Sequence, residues 1–221
     1  MTALVASILL IVLSLAMGVR LLRQYSARPR PHTLWYAIGL LLTALAAFPE
    51  FYIRLTDGLV TPLWWLYWVA ASALVGYLGV GTAYLISPTW GKYTLIGVSL
   101  LTAWLAVATV MTAGPAPAAI TVETLSKAPT GAIKLPFALM SSISGMLILF
   151  GALWSYYKTR YVSNLYIALG ALFFSAGGAL SGLLSFPGVF ALTQAAGIIA
   201  LYVGVTGSGG QRRPASTTLA H

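Results

Sequence analysis

Seven apolar stretches occupy almost the whole chain from residue 2 to residue 206, each close to the roughly 20 residues a helix needs to cross the hydrocarbon core of a bilayer. They run Thr2–Leu22, Thr33–Ile53, Pro62–Ile86, Gly91–Ala113, Leu135–Tyr157, Tyr161–Phe186 and Pro187–Thr206. Inside hydrocarbon no water is at hand for backbone N–H and C=O groups, so a spanning segment must close its own hydrogen bonds, and long unbroken apolar runs do so as helices. The breaks carry turn chemistry: Arg28-Pro29-Arg30-Pro31, Asp57-Gly58, Ser87-Pro88, the Pro/Ala-rich start of the loop at Gly114, Lys158-Thr159-Arg160 and Phe186-Pro187-Gly188. The fold expected is therefore an all-α integral membrane protein, a seven-transmembrane-helix bundle over residues 1–206 with a long outer loop at 114–134. Residues 207–221 read as a flexible, weakly basic cytoplasmic tail.

Composition excludes a water-soluble alternative. Only 7% of the 221 residues are charged and 59% are hydrophobic, whereas a soluble domain carries about 25% charged residues to coat its core. The formal net charge of +9 does not point to nucleic acid, because the basic residues sit in short gaps between apolar runs rather than on one polar face. Lipid is the expected surrounding partner. The first segment has no basic region before it and arginines directly after it, so it reads as an uncleaved anchor with its N-terminus outside. With that orientation Arg20, Arg23, Arg28, Arg30, Lys92, Lys158, Arg160, Arg212 and Arg213 are cytoplasmic. Arg54, Lys127 and Lys134 fall outside with all three acids, Glu50, Asp57 and Glu123. The expected location is the cell (cytoplasmic) membrane.

Two pairs of segments look alike. Leu34-Trp35-Tyr36-Ala37-Ile38-Gly39 in segment two parallels Leu165-Tyr166-Ile167-Ala168-Leu169-Gly170 in segment six. Ala70-Ala71 followed by Tyr77-Leu78-Gly79-Val80 in segment three parallels Ala195-Ala196 followed by Tyr202-Val203-Gly204-Val205 in segment seven. Segments four apart share one membrane orientation, so these matches describe a parallel 3+1+3 repeat with the fourth segment as linker. In span count and repeat this resembles the broad architecture of SWEET-type sugar carriers and of microbial rhodopsins. The resemblance stops there: segment seven has no lysine for a retinal Schiff base, and the chain has no Pro-Gln pair of the carrier type. No family is assigned.

Chemistry-bearing residues are sparse. There is no cysteine, the two histidines are His32 and His221, and no His/carboxylate group has metal-ligand spacing, so no metal or cofactor is expected. No span holds an acid–base pair or an activated serine, so an enzyme is not expected. The glycines of Tyr77-Leu78-Gly79-Val80-Gly81-Thr82 lie inside an apolar span and cannot form a phosphate loop. The densest polar group is Glu50, Tyr52, Arg54 and Asp57 after Pro49, facing Trp64, Trp65, Tyr67 and Trp68 across the same turn. Glu50 and Arg54 are four apart and can pair on one helix face, which in its simplest form is an interfacial ion pair ending the helix. Trp64 and Trp68 share a face, and the simplest reading of them is an aromatic belt at headgroup level, with Tyr52, Trp90, Tyr156, Tyr157 and Tyr161 in the same role.

The functional reading joins Glu50, Tyr52, Arg54, Trp64 and Trp68 into an outward pocket for a small uncharged or cationic organic molecule. Gly178/Gly182, Gly177/Ser181 and Ser141/Gly145 have small-x-x-x-small spacing and are expected at helix contacts. The outer loop, with a turn at Pro129-Thr130-Gly131, reads as a surface connection or as a lid over such a pocket. Two function classes follow: a small-solute transporter or receptor-like binding bundle, and an accessory or scaffolding subunit that docks a membrane-protein partner or another copy of itself.

Overall fold

The computed structural model describes residues 2–56, 61–112, 131–184 and 189–207, and the side chains among them except at 2–3, 112, 159, 174–191 and 205–207. The described chain is all-helical, with α1 Thr2–Ala27, α2 Pro31–Thr56, α3 Thr61–Ile86, α4 Pro88–Thr112, α5 Gly131–Thr159, α6 Val162–Leu184 and α7 Val189–Gly207. Helices α1 to α5 are long and apolar enough to cross a membrane, and the described apolar segments of α6 and α7 are Val162–Phe173 and Leu192–Gly204. The molecule is a helical membrane bundle.

The helix ends follow local chemistry. Pro31 and Pro88 occupy first helical positions, where a missing N–H costs nothing. The carbonyls of Arg30 and Ser87 accept the first helical bonds, from Thr33 N at 3.0 Å and Gly91 N at 2.9 Å. Helix α4 thus begins one turn before the expected Gly91, leaving Ser87 alone between α3 and α4. Helix α5 begins at Gly131 rather than Leu135, so Gly131–Lys134, assigned to the outer loop from the sequence, are helical. Pro136 sits inside α5 and Pro49 inside α2, both fully buried. Each removes one backbone bond, which packed neighbours in a membrane helix tolerate. The rest of the outer loop, Asp57, Glu123, Lys127 and the tail from 208 lie outside the described residues.

Outward faces show which solvent the fold is built for. Along α4 the exposed large apolar side chains include Trp90, Tyr93, Ile96, Leu100, Trp104, Val107 and Met111, recurring at three- and four-residue steps. On a helix in water that stripe would be polar. Helix α5 repeats the pattern with Ile143, Met146, Phe150, Trp154 and Tyr157.

Packing makes a closed ring of six helices. Helix α1 packs on α2, α2 on α3, α3 on α5, α5 on α6, α6 on α7 and α7 back on α1, while α4 stands outside against α3 and α5. One buried cluster runs through all six ring helices, from Met17 and Leu21 through Tyr36, Leu40, Leu74, Leu78 and Ile148 to Ile167, Ala168 and Leu201, with no residue from α4. Arg20 Nη1 donates to the Tyr202 hydroxyl at 2.6 Å, tying α1 to α7. Tyr36 and Thr82 share a buried hydroxyl bond of 2.8 Å between α2 and α3.

Close backbone approach at glycines sets the two tightest hairpins. A Cβ on Gly39 would lie 2.7 Å from the Leu78 side chain and 3.2 Å from the Leu74 carbonyl, and one on Gly81 would meet Tyr36 at 3.2 Å and the His32 carbonyl at 3.3 Å. The α6–α7 hairpin repeats the arrangement, Gly170 against Leu201 at 2.6 Å and the Gly197 carbonyl at 2.9 Å, and Gly204 against Ile167 and the Ser163 carbonyl at 2.7 Å each. Between α3 and α5, Gly79 lies under Ser144, 2.7 Å from where its Cβ would be. That close approach falls to Ser144 rather than to the neighbouring Ser141/Gly145 pair, while Gly177, Gly178, Ser181 and Gly182 lie on the part of α6 outside the described side chains.

Gly39→Ala is expected to destabilise the bundle by about 1–3 kcal/mol through overpacking against Leu78. Gly97→Ala, with nothing within 4 Å of its Cβ position, is expected to be neutral or stabilising by up to about 1 kcal/mol. Thermal melts of the two variants in detergent check the contrast.

Candidate functional site

At one end of the bundle the C-terminal turns of α2 and the N-terminal turns of α3 bring the chemistry together. Helix α2 runs through Pro49 to Thr56, so Glu50 stands six residues, about 9 Å, below the end of its helix. Trp68 stands seven residues inside α3 and reaches a similar depth. A 26-residue helix is about 39 Å long against about 30 Å of hydrocarbon. With both helices centred on that core, the two residues sit a few Å inside the boundary rather than at the midplane.

Glu50 is buried, and its Oε1 accepts from Arg54 Nη2 at 2.7 Å. The pair formed as the four-residue spacing predicts, but it does not end the helix, which continues past it. The Arg54 side chain is 20% exposed and that of Glu50 11%, so the pair lies between the surface and core regimes, where stronger attraction is offset by the cost of desolvating both charges. Tyr67 is within electrostatic reach of Glu50.

Trp64 and Trp68 are 4% and 3% exposed. They pack with Ile53 of α2, Leu105 and Ala108 of α4 and Ile133 of α5, with Trp65, Tyr67 and Phe137 alongside. The two tryptophans are thus enclosed by helices rather than turned to the headgroups, so the belt reading does not describe them. Four-residue spacing looks the same whether the face meets lipid or protein, and here α4 and α5 cover it. Trp90 and Tyr157, at 66% and 67% exposed, do hold the outward positions an anchoring role needs. Trp68 makes edge contacts with Tyr67 at 5.7 Å and Phe137 at 5.4 Å between ring centroids. Tyr52 is turned toward Phe48, a ring exposed on the outside of α2, 6.4 Å away.

Of the five candidates, the structure gathers Glu50, Arg54, Trp64 and Trp68 around one end of the α2–α3 hairpin and leaves Tyr52 with Phe48. Trp65 and Tyr67 join the group. Their sequence signal was proximity alone, and what brings them in is the packing of α4 and α5.

Among the described residues three buried donors at this end have no hydrogen-bond partner: Arg54 Nε, Trp65 Nε1 and Trp68 Nε1. Buried donors are nearly always satisfied, because leaving one bare costs about 1–3 kcal/mol. All three are donors, and the described acid beside them is already engaged by Arg54. Among the described residues none of the three has an acceptor within hydrogen-bond reach.

No family model, curated protein or solved structure matches this chain. Among the described residues no three His, Cys, Asp or Glu side chains are grouped to hold a metal ion.

Removing one partner of a fully buried ion pair costs about 3–5 kcal/mol. With a fifth of the Arg54 side chain exposed, Arg54→Ala is expected to cost about 2–3 kcal/mol. The double variant Glu50→Gln/Arg54→Leu should recover most of that loss, since no lone charge remains. Denaturant titration of the three proteins in one detergent measures the recovery.

Proposed function

We propose that this chain is a seven-span protein of the cell membrane that binds and carries a small organic solute, received at the Glu50–Trp68 end of the bundle. The observation that carries the reading is the group of three unpartnered buried donors, Arg54 Nε, Trp65 Nε1 and Trp68 Nε1, beside an ion pair and among aromatic rings. A solute bearing hydroxyl, carbonyl or ether oxygens would satisfy them while its apolar parts met Trp64 and Trp68. Between the two solute classes considered, the uncharged one is favoured, because Glu50 already has a counter-charge and a cation would have to displace Arg54 from it.

Two features support the finer architecture. Gly39 and Gly81 in the α2–α3 hairpin have counterparts in Gly170 and Gly204 of the α6–α7 hairpin, each against equivalent neighbours. This supports a parallel repeat of α1–α3 in α5–α7. Its register sets Gly81 opposite Gly204, two residues from the register of the sequence match. Helix α4, outside the ring, takes the place of the linker in a 3+1+3 arrangement. Chain direction puts Arg20, Arg23, Arg28, Arg30, Lys92, Lys158 and Arg160 at one end of the bundle and Glu50, Arg54 and Lys134 at the other. The positive-inside rule then assigns the basic end to the cytoplasm and the N-terminus to the outside.

The native chain has no cysteine, so single cysteines report orientation directly. A membrane-impermeant thiol reagent applied to intact cells should label Thr61→Cys and leave Ser26→Cys and Ser87→Cys unlabelled; the reverse pattern inverts the topology.

Native mass spectrometry of protein extracted in mild detergent tests the solute reading. A retained small molecule with acceptor oxygens is expected. Trp68→Phe, which keeps a ring but removes one donor, should lower its retention about 5–10-fold, the worth of one hydrogen bond, with the melting temperature unchanged or raised. A stoichiometric protein partner with no small molecule would instead make the chain an accessory subunit.

A further inference from the structure

At the opposite, basic end, a groove of about 530 Å³ opens between the last turn of α3 and the outward face of α5. Its lining is almost wholly apolar, with Ile86 from α3 and Phe150, Gly151, Trp154 and Tyr157 from α5. Gly151 makes the floor: a Cβ there would run into the Thr82 methyl and lie 3.3 Å from Ile86 Cδ1. The rings of Phe150, Trp154 and Tyr157 are exposed along its side.

Two cations stand at the mouth of this groove. Lys158 Nζ lies 5.0 Å from the centroid of the Trp154 ring and Arg160 Cζ 5.5 Å from that of Tyr157, so the rings that line the groove also hold the charges. Among the described residues neither cation has an acidic partner, and the described acid, Glu50, is bonded to Arg54 at the other end. Arg160 is the described non-glycine residue with positive φ, 56°, and its N–H donates to the Tyr156 carbonyl at 2.7 Å to close the end of α5. Glycine commonly fills such a helix end, where a side chain costs roughly 1–2 kcal/mol. Here that position carries a guanidinium. The carbonyl end of α5 adds only partial negative charge, so the net field at the mouth is positive.

We propose that this groove is a binding site for one anionic phospholipid, an acyl chain lying along Phe150, Gly151 and Trp154 and the phosphate held by Lys158 and Arg160. The charge complementarity selects the occupant: an apolar trough continuous with a lipid-facing helix accepts a chain, and two acid-free cations at headgroup level select a negative head over a zwitterionic one. The site stands apart from the solute cluster, and neither reading depends on the other.

The test uses the full chain in vesicles and the quenching of tryptophan fluorescence by lipids brominated on their acyl chains. Brominated phosphatidylglycerol at low mole fraction in phosphatidylcholine should quench more than brominated phosphatidylcholine at the same fraction. The excess should disappear in Trp154→Phe, which removes the reporter in the groove. In Lys158→Gln and Arg160→Gln the concentration for half-maximal excess quenching should rise about fivefold each, while Lys92→Gln, an exposed cation on α4 that does not line the groove, should leave it unchanged. Arg160→Gly should weaken the lipid effect in the same way while raising the melting temperature, which separates loss of the site from loss of the fold. Equal quenching by the two lipids, an excess that survives Trp154→Phe, or an equal loss in Lys92→Gln overturns the proposal. So does a second copy of the chain cross-linking through a cysteine at Phe150.

Discussion

Backbone groups in hydrocarbon have no water to turn to, and everything else in this fold is subordinate to that. The described chain is helix almost from end to end, with connections as short as the single residue Ser87. Side-chain hydroxyls obey the same constraint. Ser14, Thr43, Thr82, Thr102 and Thr109 each donate to the carbonyl four residues back, at 2.6 to 3.2 Å, so a helix can carry them inside the bundle without seeking a partner elsewhere. Against that background the donors left bare near Glu50, and Ser163 Oγ on α6, stand out on energetic grounds.

Helices already surrounded by hydrocarbon gain little from hiding apolar surface against each other, and association falls to close packing and a few directed bonds. The ring shows both. Glycines at 39, 81, 170 and 204 let backbones approach within side-chain distance, and the hydroxyl bond of Tyr36 with Thr82 and the Asn164 Nδ2 donation to Ser155 Oγ at 2.9 Å pin neighbouring helices. Large residues therefore end up on the outside as readily as on the inside, with Trp104 outward and Leu105, its neighbour, fully buried.

Much of the fold was legible in the sequence because apolar length and turn chemistry are local signals. All seven described helices fall on the seven segments, with ends displaced where the outer loop was carried through Lys134 although the helix begins at Gly131, and where Ser87-Pro88 starts a helix earlier than the glycine after it. The site was legible in part. The Glu50–Arg54 bond follows from spacing on one helix, whereas the burial of Trp64 and Trp68 depends on α4 and α5 arriving from more than 35 residues away in sequence. No periodicity within α3 distinguishes lipid from protein on the far side, since both are apolar. The same ambiguity hid the α3–α5 groove, which exists only where two separate helices diverge above Gly151.

The place of α4 outside the ring has a consequence for biogenesis. The ring cannot close while the chain is being made until its last helix is available, because α1 is completed by α7, as the bond between Arg20 and Tyr202, 182 residues apart, makes plain. Until then the α7-facing side of α1 is exposed to the bilayer or to the insertion machinery, and the α1–α3 unit must persist through synthesis of α4, which packs on its flank without sealing it. The contacts that complete the ring are therefore the longest in sequence, and a chain that ended before residue 189 would lack the helix that joins α6 to α1.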